Sequence, residues 1–188
     1  YYNRGLLYSQ GGQHGAALAD FNCAVRFDPD AAINYYDRGN AYFALQRYAE
    51  ALADYDQAIE RNPNHVDAHI NRANVYQHLG DYEQALENLA QAFRLDPADA
   101  RLPYNSANLY YSLGKHNKAL VALDVAIRLD PAMYQAYSNR GLVQVALQQY
   151  DEALSDFQAA IQLEPTDSIA YFGIGLVLRE QEQLPEAL

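Results

Sequence analysis

The sequence predicts an all-α protein built from repeated antiparallel helix pairs, and three observations carry that expectation. Five of the seven prolines, Pro29, Pro63, Pro97, Pro131 and Pro165, recur every 34 residues. Small residues return in the same register, as Ala17, Ala51, Ala85, Ala119, Ala153 and Ala187, and again as Ala24, Ala58, Ala92, Ala126 and Ala160. Between the prolines the apolar residues follow a helical period, as Leu52, Tyr55 and Ile59 or Leu154, Phe157 and Ile161 do at i, i+3 and i+7.

Each repeat reads as two helices of about 14 residues, roughly 21 Å long at the standard rise. Short breaks near Leu45–Gln46, Leu79–Gly80, Leu113–Gly114 and Leu147–Gln148 separate the first helix from the second. The second ends before the proline, at Asp28, Asn62, Asp96, Asp130 or Glu164, because proline cannot donate to the ladder and pushes the residue before it out of the helical region. This register gives one array: a partial repeat over 1–31, full repeats over 32–65, 66–99, 100–133 and 134–167, and a partial repeat over 168–188. Pro103 stands where other repeats have Tyr1, Tyr35, His69, Tyr137 and Tyr171, and is expected in the first turn of its helix. Pro185 falls near the start of the last second helix.

A third column of small residues, Gly5, Gly39, Ala73, Ala107, Gly141 and Gly175, predicts close helix approach. Large apolar columns lie between, including Phe21, Tyr55, Leu89, Leu123 and Phe157. Arg4, Arg38, Arg72 and Arg140 fill a first-helix column, and Asp20, Asp54, Asn88 and Asp156 a second-helix column. The fourth repeat loses both, to Ser106 and Ala122. The two columns are equidistant from the hairpin turn, so each Arg is expected to pair with its Asp across the hairpin.

Composition excludes several function classes. A net charge of −11 argues against nucleic acid, which needs clustered Lys and Arg. The lone Cys23 leaves no intrachain disulfide and no cysteine metal site. No apolar run approaches the roughly 20 residues of a membrane span. No glycine-rich phosphate loop, zinc-protease helix or nucleophile elbow is present, so neither catalysis nor a cofactor nor a metal is expected. The chain opens at Tyr1 without an initiator Met and has no polar cap at either end, so it is expected to be part of a longer protein. The cytoplasm is the expected compartment, with the periplasm left open.

The run Tyr35-Tyr36-Asp37-Arg38-Gly39-Asn40-Ala41-Tyr42, then Tyr48-Ala49-Glu50-Ala51, then Tyr55, Ala58 and Pro63, resembles the tetratricopeptide-repeat family, and the resemblance covers the whole chain. The wording Asn-Arg-Gly, at 3–5 and 139–141, with Ala-Leu-x-Asp-Phe, at 17–21 and 153–157, resembles bacterial arrays. The resemblance implies a right-handed superhelical solenoid of antiparallel helix pairs, first helices lining a concave groove. It also implies a non-catalytic scaffold that binds a protein or an extended peptide there.

On that implication the groove columns hold Asn3, Asp37, Asn71, Asn105 and Asn139, and one turn on Asn40, Asn74 and Asn108, with Tyr36, Tyr104 and Tyr111 interleaved. A carboxamide carries two donors and an acceptor, which suits the alternating groups of a peptide backbone. The competing reading is that these amides bond neighbouring helices or meet water. Of the family's carboxylate-clamp pattern, Asn40, Asn71 and Arg101 are present, but Tyr36 and Asn105 replace two of its three cations. Other uses that the resemblance allows are the substrate-recognition arm of a larger enzyme, such as a protein glycosyltransferase, and self-association through repeat ends.

Overall fold

The computed structural model describes residues 1–183, which form eleven α-helices and no strand. Pro185 and Ala187 lie outside the described residues. The chain divides into two compact units, Tyr1–Asp96 and Pro97–Leu188. Unit 1 contains α1 (Tyr2–Gln10), α2 (His14–Phe27), α3 (Ala32–Ala44), α4 (Tyr48–Arg61), α5 (Val66–His78) and α6 (Tyr82–Leu95). Unit 2 contains α7 (Arg101–Ser112), α8 (His116–Leu129), α9 (Tyr134–Ala146), α10 (Tyr150–Leu163) and α11 (Ser168–Gln183). In each unit every helix packs against the next, and odd-numbered helices also touch, as α1 and α3, α3 and α5, and α7 and α9 do. Both units are thus stacks of helical hairpins, the architecture of an all-α repeat solenoid.

The hairpin turns repeat one geometry. Gly12, Gln46, Gly80, Gly114 and Gln148 occupy equivalent places, and all have positive φ, between 58° and 78°. The amide of the following residue turns back to a carbonyl five residues earlier: Gln13 to Tyr8, Arg47 to Tyr42, Asp81 to Tyr76, Lys115 to Tyr110 and Gln149 to Gln144, at 2.8–2.9 Å. This is a Schellman ending, which satisfies the last carbonyls of the first helix and needs one left-handed residue. Second helices stop differently. Asp28, Asn62, Asp96, Asp130 and Glu164 are extended, with ψ between 84° and 95°, as the proline after each requires.

Packing follows the small columns. Ala17, Ala51, Ala85, Ala119 and Ala153 have no exposed surface. A Cβ on Gly5, Gly39 or Gly141 would lie 2.8, 2.8 or 2.5 Å from the ring edge of Phe21, Tyr55 or Phe157, so these rings stand in the space a side chain would need. The hairpins with Ala73 and Ala107 instead have Leu89 and Leu123 at the ring positions, all four buried. Glycine thus goes with an aromatic residue and alanine with leucine, conserving volume between the paired helices.

A polar layer accompanies this core. Arg4 grips Asp20, Arg38 grips Asp54 and Arg140 grips Asp156, each with Nε and Nη2 on the two carboxylate oxygens at 2.6–2.7 Å. The expected hairpin pairs are present. Arg72 donates to Asn88 Oδ1 at 2.7 Å in the equivalent place. Arg38, Arg72 and Arg140 also reach back to the preceding second helix: Arg38 to Asn22 at 3.0 Å, Arg72 to Asp56 at 2.5 Å and Arg140 to Asp124 at 2.6 Å. Each guanidinium therefore ties its own repeat to the one before it. A planar fork with five donors can serve both partners at once, as a lysine cannot.

Two outcomes are expected. Gln46→Gly and Gln148→Gly should each stabilise the fold by about 1 kcal/mol in urea unfolding, because a left-handed conformation costs a non-glycine residue roughly that much. Gly39→Ala should cost about 1–3 kcal/mol through overpacking against Tyr55. Combined with Tyr55→Leu, the loss should fall short of the sum of the two single losses by about 1 kcal/mol or more. Additive losses would mean that ring and glycine do not share one space.

Candidate functional site

Two side-chain clusters, one in each unit, join neighbouring first helices. In unit 1 the Asn71 amide on α5 donates to the Tyr36 hydroxyl at 3.1 Å and to Asn40 Oδ1 at 2.8 Å, both on α3. In unit 2 Asn139 on α9 donates to the Tyr104 hydroxyl at 3.1 Å and to Asn108 Oδ1 at 2.8 Å, both on α7. Matching distances at matching spacings make this a built element of the repeat. The amides do bridge helices, then, and the bridge defines what they still offer. It consumes both N–H groups of Asn71 and Asn139 and leaves their carbonyl oxygens. On Asn108 it occupies the oxygen and leaves two donors, whereas the Asn40 amide, its oxygen likewise occupied, also bonds the Asp37 carboxyl. All six residues are half-buried.

The other sequence-predicted residues are placed as follows. Asp37 takes the Asn71 position one repeat earlier and accepts from the Tyr2 hydroxyl at 2.7 Å, with Leu6 where the second asparagine would stand. Asn3 is exposed on α1, and Asn74 and Asn105 are half-buried on α5 and α7, outside both clusters. Tyr111 is exposed, its ring centroid 5.3 Å from that of His116. Arg101 is engaged by Asp99 through Nε and Nη2 at 2.6–3.0 Å, which draws it toward its own loop.

Tyr55 joins the unit 1 cluster, although sequence reasoning placed it in the core alone. It is fully buried, yet its hydroxyl donates to Asn40 Oδ1 at 2.8 Å, so it belongs to the unit 1 cluster as well. Its column is otherwise Phe or Leu, and that lone hydroxyl was the available signal. Ser138 fills the Tyr36 column in the fifth repeat, wholly buried, and donates to Asp167 at the start of α11.

Burial sets the electrostatics. The Asp37 carboxyl is pushed above the usual carboxylate range by desolvation, which the Tyr2 hydrogen bond offsets only in part. The hydroxyls of Tyr36 and Tyr55 are raised for the same reason and stay neutral donors and acceptors. Asp20, held by Arg4, and Asp99, held by Arg101, move the other way. Among the described residues no group of His, Cys, Asp and Glu could hold a metal ion, and no helix is long and apolar enough to cross a membrane.

The hairpin stack and its paired columns define the class, a helical-repeat scaffold for protein interaction. One TPR-repeat family model matches residues 5–46 and 39–80, and two tetratricopeptide-repeat models match 66–99 and 107–172. The chain belongs to the tetratricopeptide-repeat family. No curated protein matches it. Among solved structures it is similar to MamA, with a TM-score of 0.82, 21% identity, and coverage of 89% of this chain and 98% of that one. It is similar also to YrrB, a TPR protein with an unusual peptide-binding site (TM-score 0.76, 25% identity, 92% and 89% covered). A third is the first TPR of Spaghetti (RPAP3), bound to the HSP90 peptide SRMEEVD (TM-score 0.60, 27% identity, 62% and 93% covered).

Asp37 supplies a pH test. Its folded-state pKa lies above the unfolded value, so the folded state holds that proton more tightly. Its contribution to stability therefore falls as pH rises from about 4, the unfolded value, through the folded one. Asp37→Asn keeps an acceptor for Tyr2 and removes the charge. The stability of the variant relative to wild type should rise across that window in urea titrations at several pH values. A flat difference would mean that the carboxylate is well solvated.

Proposed function

We propose that the chain binds an extended peptide segment of a partner protein along its first-helix face, the Tyr–Asn–Asn clusters supplying the backbone contacts. The observation that carries this reading is the leftover hydrogen-bonding capacity of those clusters. Each presents a carbonyl oxygen on one helix and amide N–H capacity on the next, two groups on Asn108 and less on Asn40, which also bonds Asp37; the bridge holds the set in place. An extended backbone offers the complementary alternation. The peptide-bound and peptide-binding relatives support it, and so does the unbroken 34-residue register at Pro97, on which we take the two units as parts of one array and the first helices as the groove side. Asn3, Asp37, Asn74, Asn105 and Tyr111 extend the same face. Arg101, held by Asp99, acts at its margin.

Asn74 and Asn105 belong to neither bridge, so they test binding without testing the fold. Asn74→Ala with Asn105→Ala should weaken a peptide selected from a displayed random heptamer library by about 1–3 kcal/mol, or roughly 5- to 150-fold, measured by calorimetry. Thermal unfolding should be unchanged, whereas Asn71→Ala, which cuts a bridge, should lower stability by about 1 kcal/mol. Equal affinity for wild type and double variant would move binding away from this face.

A further inference from the structure

The two clusters are alike in their Tyr–Asn–Asn bonds, but the space beside them differs. In unit 1 the chain fills it. Tyr55 packs with Val75, Phe43 and Tyr48 and gives its hydroxyl to Asn40 Oδ1. Next to it Phe43, Tyr48 and His78 close together, with ring centroids 5.3–5.8 Å apart. Two repeats later the sequence withdraws two of these groups: Leu123 stands at the Tyr55 position and Ala146 at that of His78. Leu142 replaces Asn74, making the wall apolar. A cleft of about 250 Å³ opens there among α7, α8 and α9, walled by Ala107, Leu123, Leu142 and Val143 and by the amides of Asn108 and Asn139.

That volume is several times the roughly 30 Å³ share of one liquid water, enough for one aromatic side chain. Its polar lining is those two amides and the hydroxyls of Tyr111 and Ser112, the latter already donated to the Asn108 backbone carbonyl at 3.0 Å. Asn108 Oδ1 receives the Asn139 bond, but Leu123 cannot supply the second donor that Tyr55 gives to Asn40. A ring with a hydroxyl donor would restore the arrangement of unit 1: apolar faces against Leu123, Leu142 and Val143, and one hydrogen bond to Asn108. We infer that this cleft is a specificity pocket for a tyrosine side chain of the bound peptide, seated where unit 1 carries its own Tyr55. The inference rests on the first-helix binding reading and names the residue that reading leaves open. Phenylalanine would fill the same volume without the hydroxyl bond. One neutral hydrogen bond sets the expected preference at roughly 2- to 12-fold.

The test is an amide-resonance NMR titration of the 188-residue chain with N-acetyl-tyrosinamide, N-acetyl-phenylalaninamide and N-acetyl-leucinamide. The tyrosine derivative should perturb Ala107, Leu123 and Val143 and bind more tightly than the other two. Ala107→Gly with Leu123→Tyr copies the Gly39–Tyr55 pair and fills the cleft from within. It should abolish the perturbation while the protein still unfolds cooperatively. Should that variant not fold, Leu142→Phe narrows the same cleft and should weaken the tyrosine derivative at least 5-fold. Perturbations scattered away from the cleft, unchanged binding in the filled or narrowed protein, or equal binding of the leucine derivative would overturn the inference. The peptide acetyl-Ala-Ala-Tyr-Ala-Ala-amide separates it from the underlying reading. If filling the cleft leaves that peptide's affinity unchanged while Asn74→Ala with Asn105→Ala lowers it, the pocket is wrong and the binding face stands. If filling the cleft lowers it and the amide changes do not, the backbone contacts are wrong and the pocket stands.

Discussion

The structure depends on how closely the two helices of each hairpin can approach. Where the first helix carries glycine, an aromatic ring from the second lies against its backbone, as Phe21, Tyr55 and Phe157 do. Where it carries alanine, the second helix has leucine. Either pairing fills the same gap, and mixing them would leave a clash or a void. Close packing of this kind fixes the separation of the helices, and the separation in turn fixes which polar groups meet. The arginine fork spans from one second helix to the previous one because the first helix that bears it sits at a set depth between them. Were Gly39 to gain a methyl group, Tyr55 would have to move, and with it the hydroxyl that holds Asn40.

Most of this framework was legible as periodicity. Five prolines, two alanine columns and a glycine–alanine column announce the hairpins, and the Arg and Asp columns announce the pairs, because antiparallel helices bring equidistant positions together. The arginine contacts to Asn22, Asp56 and Asp124 were equally regular but were missed, since they cross from one repeat to the previous one and a hairpin-by-hairpin reading does not look there. The fourth repeat confirms their logic: it lacks the Arg at Ser106, the forward Asp at Ala122 and the backward Asp at Ala90. Three charged groups are absent together; the forward carboxylates are buried and costly to leave unpaired, whereas the backward ones, Asp56 and Asp124, are more than half exposed.

The asparagine columns show where such reading stops. Helix bridging and peptide binding both ask for an amide on a first-helix face, at the same spacing, so the pattern alone does not choose between them. Atomic geometry shows the bridging, in the bonds of Asn71 and Asn139. Tyr55 and Leu123 were likewise equivalent as apolar residues of one column, although one closes a gap with a ring and a hydroxyl and the other leaves it open.

Under the proposed function, bridge and binding are not rivals. An exposed asparagine side chain is mobile, and immobilising it on a ligand costs about 0.5–1.5 kcal/mol, comparable to the net worth of the hydrogen bond it would make. A surface ladder of free amides would gain little from each contact. Asn71 and Asn40 meet that ordering cost on folding, when Asn71 fastens to Tyr36 and Asn40, and Asn139 and Asn108 do the same in the second unit. The groups left over are fewer, but they are held in one orientation before any partner arrives. On this argument the bridge is what gives each remaining donor and acceptor its value to a ligand.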